Sequence, residues 1–360
     1  MFRGDLHHSG LSTSETAPRN GVPFWTANIG PMISSSAVAD GMVFVGTLHG
    51  EFYALDFETG RVIWSVDIGS PIVSSPAVWD GKVYFGTFSE WNSKSRAQHD
   101  LEENVKMEGK LNRFYALSIQ DGSVVWDLGI NSNIFSSPAI SGGSLIFGGL
   151  DGTVYALDAK TGNREWQIRT FGEIWSSPAI TGNEIYIGSD DGRLYALDLS
   201  TGDVRWKLDL GGLIRTSSPA ISDDLVVVGN VNGNLYAIER NSGELVWTYA
   251  TDGAIISSPA ILDNKVMVTS TDAMLYAVEI SDGEHIWSSE TAGQIWSSPS
   301  LAASVVFFGG LDGNVYALDA NTSSLLWKYQ TKGFLDSSPV IVDGVVIIGG
   351  RDGILYSFKD

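Results

Sequence analysis

Cysteine is absent from the 360 residues, so the chain can form no disulfide, no thiolate metal site and no cysteine nucleophile. This absence leaves the redox compartment open. No apolar run approaches the roughly 20 residues that span a bilayer, so membrane insertion is not expected. No charged-then-apolar leader opens the sequence, which predicts a soluble chain or one supplied in processed form. Basic residues are scarce: 22 Lys and Arg stand against 42 Asp and Glu, a net charge of −20. Such a surface repels phosphate backbones and argues against a nucleic-acid partner. No Walker loop, G-x-S-x-G elbow or H-E-x-x-H helix is present, and His7, His8, His49, His99 and His285 show no zinc-ligand spacing. Sustained helical periodicity is also missing, apart from one candidate stretch inside the insertion described below.

What the chain has in abundance is repetition. "EIWSSPAI" at 173–180 returns almost unchanged as "QIWSSPSL" at 294–301, with six looser copies such as "MISSSAV", "IFSSPAI" and "LDSSPVI". Tryptophan gives the ruler. Trp25, Trp64, Trp126, Trp166, Trp206, Trp247, Trp287 and Trp327 are spaced by 39, 62, 40, 40, 41, 40 and 40 residues. Each unit runs from a Ser-Ser-Pro segment, Ser-Ser-Ser in the first, through three further strand-sized apolar runs, many of them bounded by Asp-Gly, Asn-Gly or Thr-Gly turns. Four strands per 40-residue period, eight times over, predict an all-β, eight-bladed β-propeller of antiparallel blades. Proline inside the first strand of seven of the eight units, with Ser36 in its place in the first, marks that strand as innermost, with an edge facing the channel where no neighbouring strand accepts an N–H. "GVPFWTANIG" has a tryptophan but lacks the three preceding strands, whereas "GILYSFKD" ends a unit without its fourth. The N-terminal strand is therefore expected to complete the blade begun at Ser337 and close the ring. The domain reading is a tail over 1–21 packing on a single propeller over 22–360, with an insertion at 89–110.

"ALDFETGRVIW" (54–64), "ALDAKTGNREW" (156–166) and "ALDLSTGDVRW" (196–206) share the pattern A-x-D-x-x-T-G-x-x-x-W. This resembles the tryptophan-docking motif of pyrroloquinoline-quinone (PQQ) repeat propellers, and "MFRGDLHHSG" resembles the N-terminal signature of bacterial members. The resemblance covers the chain from Gly21 onward. It implies that each of the eight tryptophans docks between blades against the neighbour's glycine turn, a structural role whose loss to alanine should cost roughly 3–5 kcal/mol. Ser118, Glu239 and Glu279 replace the motif aspartate, and Ser323 replaces the glycine, so those junctions are expected to be looser. The family includes quinoprotein alcohol dehydrogenases, which the resemblance says need adjacent cysteines, a catalytic aspartate and a calcium or lanthanide site. This chain has no cysteine and is similar instead to non-catalytic relatives, among them an outer-membrane assembly lipoprotein. The resemblance therefore implies a protein- or ligand-binding scaffold in the bacterial or archaeal cell envelope, with no catalytic residue and no cofactor. The alternative is a PQQ-binding dehydrogenase or quinone sensor with calcium.

The binding surface is sought where the repeat breaks. The insertion lies between the second and third strands of its blade, on the face from which each inner strand is approached. The residues just before each Ser-Ser are Ile33, Val73, Phe135, Trp175, Thr216, Ile256, Trp296 and Asp336, and they should ring the channel mouth, with Arg215 beside them. Phe135, Trp175, Arg215, Trp296 and Asp336, with Trp91 and His99 from the insertion, are the candidate binding residues. Two readings of the ring stand side by side: a mouth for a protein or small molecule, or large side chains that plug the channel. The recurring turn aspartates Asp151, Asp191, Asp272, Asp312 and Asp352 read as hairpin residues rather than a calcium ring. No metal site is expected, and the expected state is a monomer outside the cytoplasm; the residues themselves leave a cytoplasmic placement open.

Overall fold

The computed structural model describes residues 5–89 and 112–360. Thirty-two strands pair into eight four-stranded antiparallel sheets arranged as a propeller, with no helix among the described residues. The inner strands are two or three residues long, as at Ala179–Thr181. Second strands such as Glu184–Gly188 are largely apolar and buried after their first residue, because neighbouring blades cover both faces. Outer strands such as Arg164–Arg169 alternate between exposed and half-buried residues, as expected where one face meets solvent.

The Ser-Ser pair is explained by hydrogen bonding rather than by size alone. The second serine of each blade donates its backbone N–H to the hydroxyl oxygen of the equivalent serine in the next blade. Ser35, Ser75, Ser137, Ser177, Ser218, Ser258, Ser298 and Ser338 form a closed circle of eight such bonds at 2.9–3.0 Å. The first serine works within its own blade: Ser74 Oγ accepts from the Gly86 N–H at 2.9 Å and donates to the Gly86 carbonyl at 3.0 Å. The glycine that ends the second strand in seven of the eight blades, Thr269 being the exception, gives room to an apolar residue of the following blade. A Cβ on Gly148 would fall 2.2 Å from the Ile174 side chain.

The expectation for proline needs correction. Pro76, Pro138, Pro178, Pro219, Pro259, Pro299 and Pro339 directly precede their inner strands instead of lying within them. Nor are the channel-facing N–H groups all without partners, because the N-terminal tail runs along them. The N–H groups of Ile180, Ile221, Ile261 and Leu301 donate to the carbonyls of Leu6, His7, Ser9 and Gly10 at 2.7–2.9 Å. The Ser12 hydroxyl reaches the Ile341 carbonyl at 2.9 Å. Five consecutive blades are thus laced together by one extended segment.

Ring closure is as expected. Pro23–Asn28 pairs with Ile354–Phe358 and completes the sheet formed with Val345–Gly349 and Val340–Val342. The docking turn for Trp327 is assembled from both ends of the chain: its indole donates to the Pro18 carbonyl at 2.9 Å. The Asp360 carboxylate accepts the backbone N–H groups of Arg19 and Asn20 at 2.8 and 3.2 Å.

The remaining tryptophans test the looser junctions. Trp25, Trp64, Trp126, Trp166, Trp206 and Trp247 each donate from the indole to a carbonyl of the next blade at 2.8–3.0 Å. These include the junctions where Ser118, Glu239 and Glu279 replace aspartate. The Ser323 junction departs: the buried indole N–H of Trp287 has no partner among the described residues. At the six corresponding glycines a Cβ would lie 2.5–2.8 Å from an indole carbon. Ser323 carries that Cβ, and at a φ of 59° it also occupies the left-handed region that glycine favours. Replacing Ser323 with glycine should let Trp287 dock, stabilising the protein by about 1–2 kcal/mol in denaturant unfolding. Conversely, Ser137→Ala leaves a buried N–H of the serine circle without an acceptor, and should cost about 1–3 kcal/mol in the same measurement.

Candidate functional site: the channel mouth

The eight residues that precede the serine pairs converge on one cavity of about 390 Å³, floored by serines of the circle. Ile33, Val73, Phe135, Trp175, Thr216, Ile256, Trp296 and Asp336 all line it, and so does Arg215. The large side chains leave this space open rather than filling it. Trp91 and His99 lie outside the described residues. The strands flanking the insertion, Lys82–Gly86 and Asn112–Ser118, leave and re-enter on the mouth side, where Phe88 packs 6.5 Å from Trp175.

The aromatic side of the mouth is built by blades three to five. The Trp175 ring meets Phe135 in a tilted contact, with centroids 5.2 Å apart and planes at 58°. Its indole N–H donates to Glu173 Oε2 at 2.9 Å, and the Arg215 guanidinium lies over the ring at 5.5 Å. Trp296 is held in the same way, donating to Gln294 Oε1 at 3.2 Å. In both blades a side chain two residues upstream pins the indole edge, and both tryptophans line the cavity. Blade five carries one extra residue, seen in its serine link of 41 rather than 40 positions. That residue lets Arg215 and Thr216 both reach the mouth, while the Thr216 hydroxyl donates to the Ile256 carbonyl at 2.7 Å.

The charged groups are paired. Arg215 donates to Asp190 Oδ2 from Nε at 3.2 Å and from Nη2 at 2.8 Å. Arg351 does the same to Asp336, with Nε at 2.9 Å and Nη2 closer still. Both aspartates are almost wholly buried, and in each the second carboxylate oxygen has no partner among the described residues. Burial pushes both carboxyls above their usual range, against the opposing pull of the arginines.

Arg351 and Asp190 are the residues that sequence reasoning missed. They occupy equivalent places just before the turn aspartate between second and third strands, where other blades carry Leu48, Phe88, Leu150, Val231, Thr271 and Leu311. Each of these residues bonds through its backbone N–H to the strand approach of its own blade, as Arg351 does to the Phe334 carbonyl at 3.0 Å. Comparing that column across the eight units would have shown its only two charged members.

The turn aspartates point elsewhere. Asp151, Asp191, Asp272, Asp312 and Asp352 each accept a backbone N–H two residues on and a tyrosine hydroxyl four residues on. Burial and this bond to Asp151 push the Tyr155 hydroxyl up to about 12. Among the described residues no group of three or more His, Asp or Glu side chains could hold a metal ion. The carboxylate among the lining residues, Asp336, is engaged by Arg351.

Eight blades on this repeat define a PQQ-like β-propeller, and part of the chain matches the description "outer membrane protein assembly factor BamB" over residues 13–97. The larger match, over residues 99–333, places it more narrowly: the chain belongs to the family described as "beta-alanine-activating enzyme, beta-propeller". Comparison with curated protein sequences gave no match. Among solved structures it is similar to BamB from Moraxella catarrhalis, at 19% identity and a TM-score of 0.77, over 94% of this chain and 97% of that one. Quinohemoprotein alcohol dehydrogenase from Comamonas testosteroni gives 16% identity and a TM-score of 0.81, over 99% of this chain and 79% of its own. The computationally designed protein Ika8 gives 20% and 0.79, over 94% and 100%. Likenesses at these identities show the fold alone.

The Arg351–Asp336 pair makes a testable pH dependence. An aspartate raised above its unfolded value contributes stability that is complete below the ordinary aspartate range and lost as pH climbs through its folded value. Arg351→Met removes the compensating cation. The variant should lose about 3–5 kcal/mol at neutral pH and markedly less near pH 4, whereas the Arg351→Met, Asp336→Leu double variant should sit close to the parent. Thermal melts at the two pH values decide it.

Proposed function

We propose that the protein is a non-enzymatic scaffold that captures a protein partner on the face carrying the channel mouth, outside the cytoplasm in the cell envelope. The observation that carries the reading is the composition of that face. Trp175, Trp296, Phe135 and Arg215 line an open cavity, with Phe171, Leu213 and Phe334 exposed around it at 86%, 38% and 42%. Large aromatic, aliphatic and arginine side chains around a concave centre are what protein interfaces use as anchors. The described mouth offers no nucleophile–base pair and no uncommitted carboxylate to act as acid or base. The likeness to BamB, an outer membrane protein assembly factor by its description, supports both the scaffold role and the envelope setting. The likeness to quinohemoprotein alcohol dehydrogenase keeps a quinone enzyme as the competing reading.

Two measurements separate these readings. A photo-crosslinking amino acid placed at Phe171 or Leu213 should give discrete protein adducts in living cells, whereas the same group at exposed Val62 on an outer strand should not. Equal adducts at all three positions, or none at the mouth, would remove the scaffold. Addition of PQQ with calcium should leave tryptophan fluorescence and the quinone spectrum unchanged, with no dye reduction by alcohols or sugars. Turnover there would establish the enzyme.

A further inference from the structure

The same mouth constrains the chemistry of what it holds. Its interior is lined mainly by Ile33, Val73, Phe135, Val231, Ile256 and the two indoles. Its arginines bring no net attraction for an anion, because Arg215 and Arg351 each face a buried aspartate. The surrounding rim leans the other way. Asp67, Glu173, Asp252 and Glu290 stand exposed where outer strands end or inner strands are approached, against Arg169 and Lys332, while Asp209 is paired with Arg193 at 3.1 Å. Glu173 lies directly beside Trp175, holding its indole N–H. The whole chain carries −20, so the long-range field has the same sign as the rim.

Resting on the scaffold reading, we infer that the partner is recognised through a basic segment that lowers one bulky apolar side chain into the cavity. The acidic rim steers and orients lysines and arginines of that segment, while the apolar side chain displaces water from between Trp175 and Trp296. Both indoles are pinned along their N–H edges, so little side-chain freedom is lost on binding. A cavity of about 390 Å³ has room for a large side chain but not for a folded element. Specificity thus divides between an anchor that reads shape and a rim that reads charge.

Fluorescein-labelled peptides provide the probe: Lys-Lys-Gly-Phe-Gly-Lys-Lys, its Phe-to-Ala version, and the sequence with every lysine changed to glutamate. Anisotropy titrations of the full chain should show the Phe peptide binding about tenfold more tightly than the Ala version. Its affinity should fall several-fold between about 20 mM and about 200 mM salt. The Trp175→Ala, Trp296→Ala variant should lose about tenfold in affinity. Ile256→Arg keeps both indoles and places a like charge in the cavity, so it should also weaken binding, at an unchanged melting temperature. Failure of all three peptides to bind, or indifference to the Phe-to-Ala change, would overturn the inference. Equal binding of the glutamate peptide would overturn the basic partner alone, and the cellular crosslinks at Phe171 and Leu213 judge the scaffold separately.

Discussion

Eight backbone N–H groups, each donating to the hydroxyl of a serine one blade ahead, hold the centre of this protein. The bond demands a small side chain with an acceptor oxygen at the same place in every repeat, and it has no end: Ser338 returns to Ser35. A circle of eight identical links sets the angle between blades, so the wedge shape of each sheet follows from the centre outward. The indole bonds do the corresponding job at the periphery. Between these two rings lie second and third strands whose apolar side chains need only be the right size to fill the space, as the stacked Phe52–Phe85 and Phe114–Phe147 pairs do at 4.2 and 4.3 Å.

A scaffold so over-determined can tolerate variation at one kind of position, the residue on the threshold of the channel. There the side chain hangs from a backbone already fixed on both sides by serine bonds and the strand-approach bonds. The blades spend this freedom unequally. Blades one and two present Ile33 and Val73, whereas blades four, five and eight present Trp175, Arg215 and Asp336. The cavity is therefore asymmetric within a nearly symmetric ring, and its chemistry sits in the exceptions to the repeat.

That division explains what was legible in the sequence. Blade number, strand order and closure could be read because tryptophan spacing and the Ser-Ser pairs are local signals repeated eight times. The eight threshold residues could be placed for the same reason: each stands next to a marker. Arg351 and Asp190 were not found because nothing local distinguishes them; both precede an ordinary turn, and their partners Asp336 and Arg215 are 15 and 25 residues away. The tail was expected to pack on the propeller, but its path along the channel edge was hidden for a different reason. Its bonds to Ile180, Ile221, Ile261 and Leu301 use backbone carbonyls, which leave no mark on residue identity. The proline misreading has the same root, since a residue beside a strand and one within it look alike in a periodic pattern. The penalty at Ser323, by contrast, was visible as a broken motif, and its physical content is one Cβ against one indole.

The split turn around Trp327 has a mechanical side. Pro23 faces Phe358 across the closing pair, so the two chain termini leave the seam at the same end. Traction applied to both would peel that pair one rung at a time, a geometry that resists little force. The tail changes the load path: tension from the N-terminus is first borne by the bonds from Leu6 to Ser12 inside the channel, spread over several blades, before it reaches the seam. A tether attached at Asp360 has no such relief, which makes the two ends of this ring unequal as anchoring points.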